Sequence, residues 1–235
     1  MKNNFFKGFI HGIPIMLGYL TVSFGFGIAA VRKGLSTAEA TIISVTNLTS
    51  AGQTAGIDII AAGGTIMEMM LSQLVINIRY ALMSLSLSQK LDKSFTLPHR
   101  LLAAYGITDE IFAVAAANPN KIKPSYMYGL IAAGFAGWTA GTFFGAAAGN
   151  ILPSSVSAAM GLMLYGMFVA IIIPPAREKK SVLAAISAAA VISVIMKYLL
   201  SFIPGGFAVI IAAAAAAALA AAIFPVNDEE SREKA

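Results

Sequence analysis

Three stretches of this chain place hydrogen-bonding and charged side chains inside apolar surroundings. Between Ser44 and Gly56, residues Thr46, Asn47, Thr49, Ser50, Gly52, Gln53 and Thr54 interrupt an otherwise oily run. The next run holds Gln73, Asn77 and Arg79, and a third has Thr108, Asp109 and Glu110 at its centre. Polar groups at membrane depth are costly, so they face a cavity or a partner. A span interrupted by glycines and hydroxyls is also how a transporter presents backbone groups to a substrate.

Each stretch has a plainer reading. Ser and Thr commonly bond between packed membrane helices, so residues 44–56 are also consistent with a wet helix contact. Asn77 and Arg79 sit two residues apart, about 200° around a regular helix, so both cannot line one narrow path. Arg79 is nine residues from Ser88, about 13 Å along a helix. It can therefore snorkel to the interface or form a structural ion pair. Two adjacent acids would each cost a few kcal/mol if buried unpaired in a span. Either Thr108 caps a short surface helix begun by Asp109 and Glu110, or the chain forms a re-entrant hairpin. Such a hairpin, broken at residues 106–109, would hold both acids in a watery cavity.

The elements that must position these residues follow from composition. The chain has 235 residues, 58% hydrophobic and 11% charged, against roughly 25% charged in soluble domains. Mean hydropathy is +0.79. The charges fall between apolar runs of about 17–25 residues, the length of a membrane span. This predicts an all-α, polytopic membrane helix bundle in a cell membrane. Eight apolar segments are readable, at 9–31, 38–62, 65–88, 101–117, 126–149, 156–175, 182–203 and 207–224. Residues 1–225 form one transmembrane domain, and 226–235 a charged, disordered tail.

The net charge of +5 reads as loop cations facing the cytoplasm, not as a nucleic-acid surface. Cysteine is absent, which excludes disulfides, thiolate metal sites and a cysteine nucleophile. No Walker loop, His-Glu-x-x-His pair or serine elbow occurs. His11 and His99 sit near segment ends without metal-ligand spacing. Neither an enzyme activity nor a cofactor is expected.

Charge distribution bears on topology. If segment 101–117 is re-entrant while the other seven cross, ten loop cations share one side and only Lys2 and Lys7 lie opposite. The positive-inside rule favours that seven-span arrangement over eight spans. The first helix, whose Lys2 and Lys7 prefer the cytoplasm, argues against it. A weak three-helix internal repeat at an offset of 118 pairs Phe26-Gly27 with Phe144-Gly145 and Arg79-Tyr80 with Lys197-Tyr198. Seven spans would make that repeat inverted. Segment five carries a small residue every fourth position, Gly129, Ala133, Gly137, Gly141, Gly145 and Gly149, a close-packing seam. This seam and the alanine run at 212–222 offer surface for a second subunit.

Thr49-Ser-Ala-Gly-Gln53, Val75-Ile-Asn-Ile-Arg-Tyr80 and Thr108-Asp-Glu-Ile-Phe112 occur in order, together with Pro14, Gly18-Tyr19 and Gly25-Phe-Gly27. In this set the chain resembles the AzlC family, the large subunits of branched-chain amino acid exporters, over about residues 5–224. Tyr80 stands where the family often has histidine, and polar Thr49 where it often has an aromatic residue. The resemblance implies export of leucine, isoleucine, valine and methionine with a small AzlD-type membrane subunit. A zwitterion needs an anion site, a cation site and an apolar pocket. Arg79 or the N-terminus of a broken helix suits the carboxylate, Asp109 or Glu110 the ammonium, and Met67, Met69, Met70 and Phe112 the side chain. The expected path is lined by Asn47, Ser50, Gly52, Gln53, Asn77, Arg79, Thr108, Asp109 and Glu110. A channel-like pore and a structural or assembly subunit of a membrane complex are the alternatives.

Overall fold

Local signals set the helix ends. Helix α1 (Lys2–Arg32) stops where Gly34, at φ +93, turns the chain so that the Leu35 N–H reaches the Ala30 carbonyl at 3.2 Å. The left-handed conformation is open to glycine without steric penalty. Ser36 and Glu39 then form a capping box that starts α2 (Thr37–Thr46), as a Ser or Thr ahead of an acidic first turn leads one to expect. After a break at residues 47–50 comes α3 (Ala51–Ala61), ended by Gly63 at φ +66. Thr65 caps α4 (Ile66–Ser88), accepting the Glu68 N–H at 3.1 Å. Two short helices follow, α5 (Leu97–Tyr105) and α6 (Asp109–Ala116), and then α7 (Pro124–Ala148), α8 (Lys180–Leu199) and α9 (Gly205–Ile223).

The computed structural model describes residues 2–149, 151–153, 155, 159, 166, 169, 172–200 and 202–225. The tail at 226–235 and most of apolar segment 156–175 lie outside them. Among the described residues the fold is a helical membrane bundle, in which α1, α4, α7, α8 and α9 are long and apolar enough to cross a bilayer. On α4 the exposed Met67, Met70, Leu74, Ile78, Leu82 and Leu85 recur every three or four residues, a stripe fit for lipid.

Helices α1 and α7 run parallel and form the spine. A Cβ on Gly8 would strike the Tyr126 carbonyl, one on Gly137 would strike Met16, and one on Gly145 would strike Phe24. The glycine seam of α7 is therefore filled by α1 of the same chain. It is not a free surface for a second subunit, which corrects half of the partner expectation. Trp138, Leu130, Met127 and Ile111 are buried against Ile15 and Tyr19 in the core this pair creates.

The contacts also fix direction. Asp92, just after α4, bonds Ile122, just before α7, with Asp92 N to Ile122 O at 2.9 Å. Asn4, Lys7, Asp92, Lys121 and Lys123 line one surface hollow. At the other end Lys33, after α1, pairs with Asp58 near the end of α3. So α4 runs antiparallel to α1. Segment 38–62 enters and leaves at the Lys33 end as the hairpin α2–α3. Segment 97–117 enters and leaves at the opposite end as the hairpin α5–α6, where Lys90 Nζ bonds the Ala116 carbonyl.

Both interrupted segments are thus re-entrant, one from each side, and the seven-span arrangement is corrected. Residues 32–37 and 89–100 lie at opposite ends. The cations then divide simply. Among the described side chains, Lys7, Lys90, Lys93, Arg100, Lys121, Lys123, Arg177, Lys179 and Lys180 share the N-terminal end, with Arg32, Lys33 and Lys197 at the other. The cation-rich N-terminal end is the one that the positive-inside rule favours for the cytoplasm, and the first helix and the loops agree in this.

The repeat at offset 118 is corrected too. Its two pairs of matches disagree in direction. Helix α7 is parallel to α1. Helix α8, joined at its outer end through a short turn to α9, runs opposite to α4. No single symmetry operation relates both pairs. The unit that does recur is a helical hairpin followed by a long helix, α2–α3–α4 from outside and α5–α6–α7 from inside. Inverted units of this kind are common in transporters.

Candidate functional site

The two hairpin tips meet at mid-depth, opposite Tyr19 in the middle of α1. The first tip is the break between Asn47 and Ser50. Asn47 closes α2 through its N–H to Ile43, and its Oδ1 accepts the Thr49 hydroxyl at 2.6 Å. Ser50 starts α3 at φ 23, ψ −70, a backbone region that non-glycine residues visit at a cost of about 1–3 kcal/mol. At the second tip Thr108 caps α6, accepting the Ile111 N–H at 3.3 Å. This joins the two readings of that segment, because the capped helix is also the inner arm of the re-entrant hairpin.

Around the tips the polar residues sort into two groups. In the first, Ser44, Gln53 and Thr142 are all buried, with Gln53 Nε2 donating to Ser44 Oγ at 2.9 Å and Ser44 Oγ 2.8 Å from Thr142 Oγ1. On the other face of α3, Gln73 Nε2 donates to the Gly52 carbonyl at 2.8 Å, and Asn77 Nδ2 donates to Gln73 Oε1 at 2.9 Å. Gly52 has no side chain because its Cβ would stand 2.6 Å from Gln73 Oε1 and 3.0 Å from Asn77 Nδ2. The Asn77 Oδ1 and Gln53 Oε1 acceptors are buried without a partner among the described residues. Such groups are rare and call for an explanation.

The second group carries charge. Arg79 Nη1 lies 2.7 Å from Asp109 Oδ2, joining the middle of α4 to the second tip. The Tyr80 hydroxyl accepts from Arg79 Nη2 at 3.2 Å. The Tyr19 hydroxyl is 2.5 Å from Thr108 Oγ1 and hydrogen-bonds the Glu110 carboxylate. Tyr19, Leu48, Ser50, Tyr80, Thr108, Asp109, Glu110 and Trp138 enclose a cavity of about 10 Å³, room for about one water. The tips are therefore closed on each other.

Asn77 and Arg79 leave α4 in different directions, toward α3 and α6 respectively, as their angular separation requires. Arg79 is engaged in an ion pair rather than extended to the interface. Of the residues considered for an apolar pocket, Met67 and Met70 face outward. Met69 faces Gly56 and Gln73, and Phe112 packs on the core. Residue types alone did not single out Tyr19, Leu48, Ser44, Thr142 or Trp138. Tyr19 carried a signal as part of Gly18-Tyr19, and Trp138 as the chain's one tryptophan. His11 and His99 bond to Tyr126 and Tyr128 at 2.9 and 2.7 Å, a packing role. No group of residues suited to a metal occurs among the described residues.

Comparison with known proteins supplies the family. The family model described as AzlC protein matches residues 14–152, which takes in both hairpins, α4 and α7. The chain belongs to the AzlC family. It is 30% identical over 176 residues to the inner membrane protein YgaZ of Escherichia coli, covering 72% of each chain. It is 31% identical over 172 residues to an uncharacterized membrane protein of Archaeoglobus fulgidus, covering 72% of this chain and 75% of that one. No solved structure matches. This AzlC protein is therefore a membrane protein with a transport-related role, and both hairpin tips lie within the matched region.

Proposed function

We propose that this AzlC-family protein is a secondary exporter of aliphatic amino acids, with leucine, isoleucine, valine and methionine as its substrate class. It acts with a small AzlD-type membrane subunit and draws on the proton or charge gradient. The observation that carries the reading is the Arg79–Asp109 pair at 2.7 Å, set where two re-entrant tips meet and beside Glu110. A cation and an anion side by side are the two halves of a zwitterion's binding site. With the site empty they neutralise each other, so neither is left as an unpaired charge at membrane depth. A substrate entering between them gives its carboxylate to Arg79, which binds carboxylates in a fork. Its ammonium goes to Asp109, and one ion pair becomes two.

Asn47, Ser50, Gln53 and Asn77 line the path on the first-hairpin side. The unpartnered acceptors of Gln53 and Asn77 suit a passing ammonium or water. The cavity of about 10 Å³ fits a state closed between the two tips, as alternating access requires. The deciding assay is efflux of labelled leucine, valine and methionine from preloaded cells, with and without an uncoupler. Retention should rise when the protein is deleted and fall when it is restored. Efflux unchanged by deletion of this protein together with its small partner would rule out amino acid export.

A further inference from the structure

A second cavity, of about 300 Å³, lies toward the outer end between α3, α4 and α9. That volume is at the lower edge of the range in which proteins hold small molecules. Its walls are aliphatic, from Ala55, Ile59, Ile76 and Val209, and its polar end is built from Glu68, Ser72 and the first residues of α9. Asp58 also borders it but already pairs with Lys33. Glu68 is 5% exposed and pairs with no cation among the described residues. Its Oε1 accepts the Gly206 N–H at 2.8 Å, a favourable place for an anion because the first turn of a helix presents free N–H groups and a positive dipole end.

That cap accounts for one carboxylate oxygen. It does not account for Ser72, which is fully buried and whose Oγ has no hydrogen-bond partner among the described residues. Glu68 Oε1 and Ser72 Oγ each stand 2.7 Å from the point where a Cβ on Gly206 would be. The two oxygens therefore lie close together beside the first turn of α9, at the polar end of the cavity. A buried carboxylate and an orphaned hydroxyl side by side, with an aliphatic wall beyond them, match a primary ammonium on a small apolar body.

We propose that this cavity binds a primary ammonium group carried on a short aliphatic chain, with Glu68 and Ser72 as its acceptors. The site is separate from the Arg79–Asp109 pair and is open while the hairpin tips are closed. In an exporter it is the outer station, holding the substrate's ammonium after the tips have passed it on. Only that last assignment rests on the export reading; the binding itself does not.

The experiment is equilibrium binding to the purified full chain in lipid nanodiscs, using labelled leucine and 3-methylbutylamine, with 4-methylpentanoate as the ammonium-free control. Leucine and the amine should bind and the acid should not. Glu68→Gln keeps an oxygen for the Gly206 N–H, so α9 stays docked, yet it removes the charge. It should weaken both ligands about tenfold or more, the scale of one charge-assisted hydrogen bond. Ser72→Ala, which leaves the cap untouched, should weaken both by a smaller factor. Gly18→Ala, whose added Cβ would meet nothing within 4 Å, should leave binding unchanged. Wild-type affinity in Glu68→Gln, or no binding of the amine to the native chain at millimolar concentration, overturns the proposal. Intact binding without any efflux would overturn the export reading and leave this site standing.

Discussion

The Tyr105 hydroxyl, at the last residue of α5, donates to the carbonyl of Val45, near the end of α2. A residue of the hairpin entering from one side thereby satisfies a backbone acceptor of the hairpin entering from the other. Such an acceptor, left at membrane depth, costs several kcal/mol. Each hairpin is half a membrane deep, and each completes the other at the tip. The α5–α6 tip is further held by Arg79 on α4 and Tyr19 on α1. Ser44 and Gln53 tie the α2–α3 hairpin to Thr142 on α7. The closed arrangement is thus a meeting of two polar tips gripped by long helices.

This arrangement sets a topology that cysteine labelling checks directly, because the chain has no cysteine. Ala62 closes α3 at the Lys33 end, and Ser94 lies in the loop at the N-terminal end. An impermeant maleimide applied to intact cells should label both Ser36→Cys and Ala62→Cys, which flank segment 38–62, and miss Ser94→Cys and Ser125→Cys. If segment 38–62 crossed the membrane instead, positions 36 and 62 would lie on opposite sides and only one of the two would label.

How much of this was legible in the residues differs by level. The apolar runs and their charged borders carried the membrane bundle, since period and length report burial in lipid directly. The breaks at 47–50 and 106–109 were visible as polar interruptions. That both are re-entrant was not visible, because a ten-residue half-span and a broken full span have the same composition. Direction emerged only when Asp92 met Ile122 and Lys33 met Asp58. The Arg79–Asp109 pair joins residues 30 apart on elements of different type, and no spacing rule finds it. The glycine period of α7 signalled close packing correctly but carried no partner's name, and the partner proved to be α1. Tyr19 and Trp138 look like ordinary aromatic packing until Glu110 and the cavity appear beside them.

The α1–α7 spine predicts opposite outcomes for two glycine substitutions of the same kind. A Cβ on Gly141 would strike Ser23 and the Leu20 carbonyl, whereas one on Gly18 would meet nothing within 4 Å. Gly141→Ala should therefore destabilise by about 1–3 kcal/mol, the cost of overpacking a fitted interface. Gly18→Ala should stabilise by about 0.5–1 kcal/mol, the helix preference of alanine over glycine. Thermal unfolding of the purified protein in detergent, followed by circular dichroism, reads both. A seam that faced a second subunit instead of α1 would leave the isolated Gly141→Ala chain as stable as the native one.

The charge pair makes the sharpest claim on mechanism. If Arg79 and Asp109 receive the two ends of a zwitterion, neither can be neutralised alone without leaving the other unpaired. Asp109→Asn and Arg79→Gln should each lose most leucine efflux, about tenfold or more on the scale of one charged hydrogen bond. Arg79→Lys should fall nearly as far, because an ammonium lacks the planar fork that holds a carboxylate at two points. The exchanged variant Arg79→Asp with Asp109→Arg restores the ion pair but reverses the order of charges along the path. It should regain the stability lost by the single variants without regaining their transport. A double-variant cycle on unfolding temperature and on efflux rate separates the two roles. Transport at the native rate in Asp109→Asn would show the pair to be structural only, and would move the substrate's ammonium to Glu110, held by Tyr19 on the facing side of the same cavity.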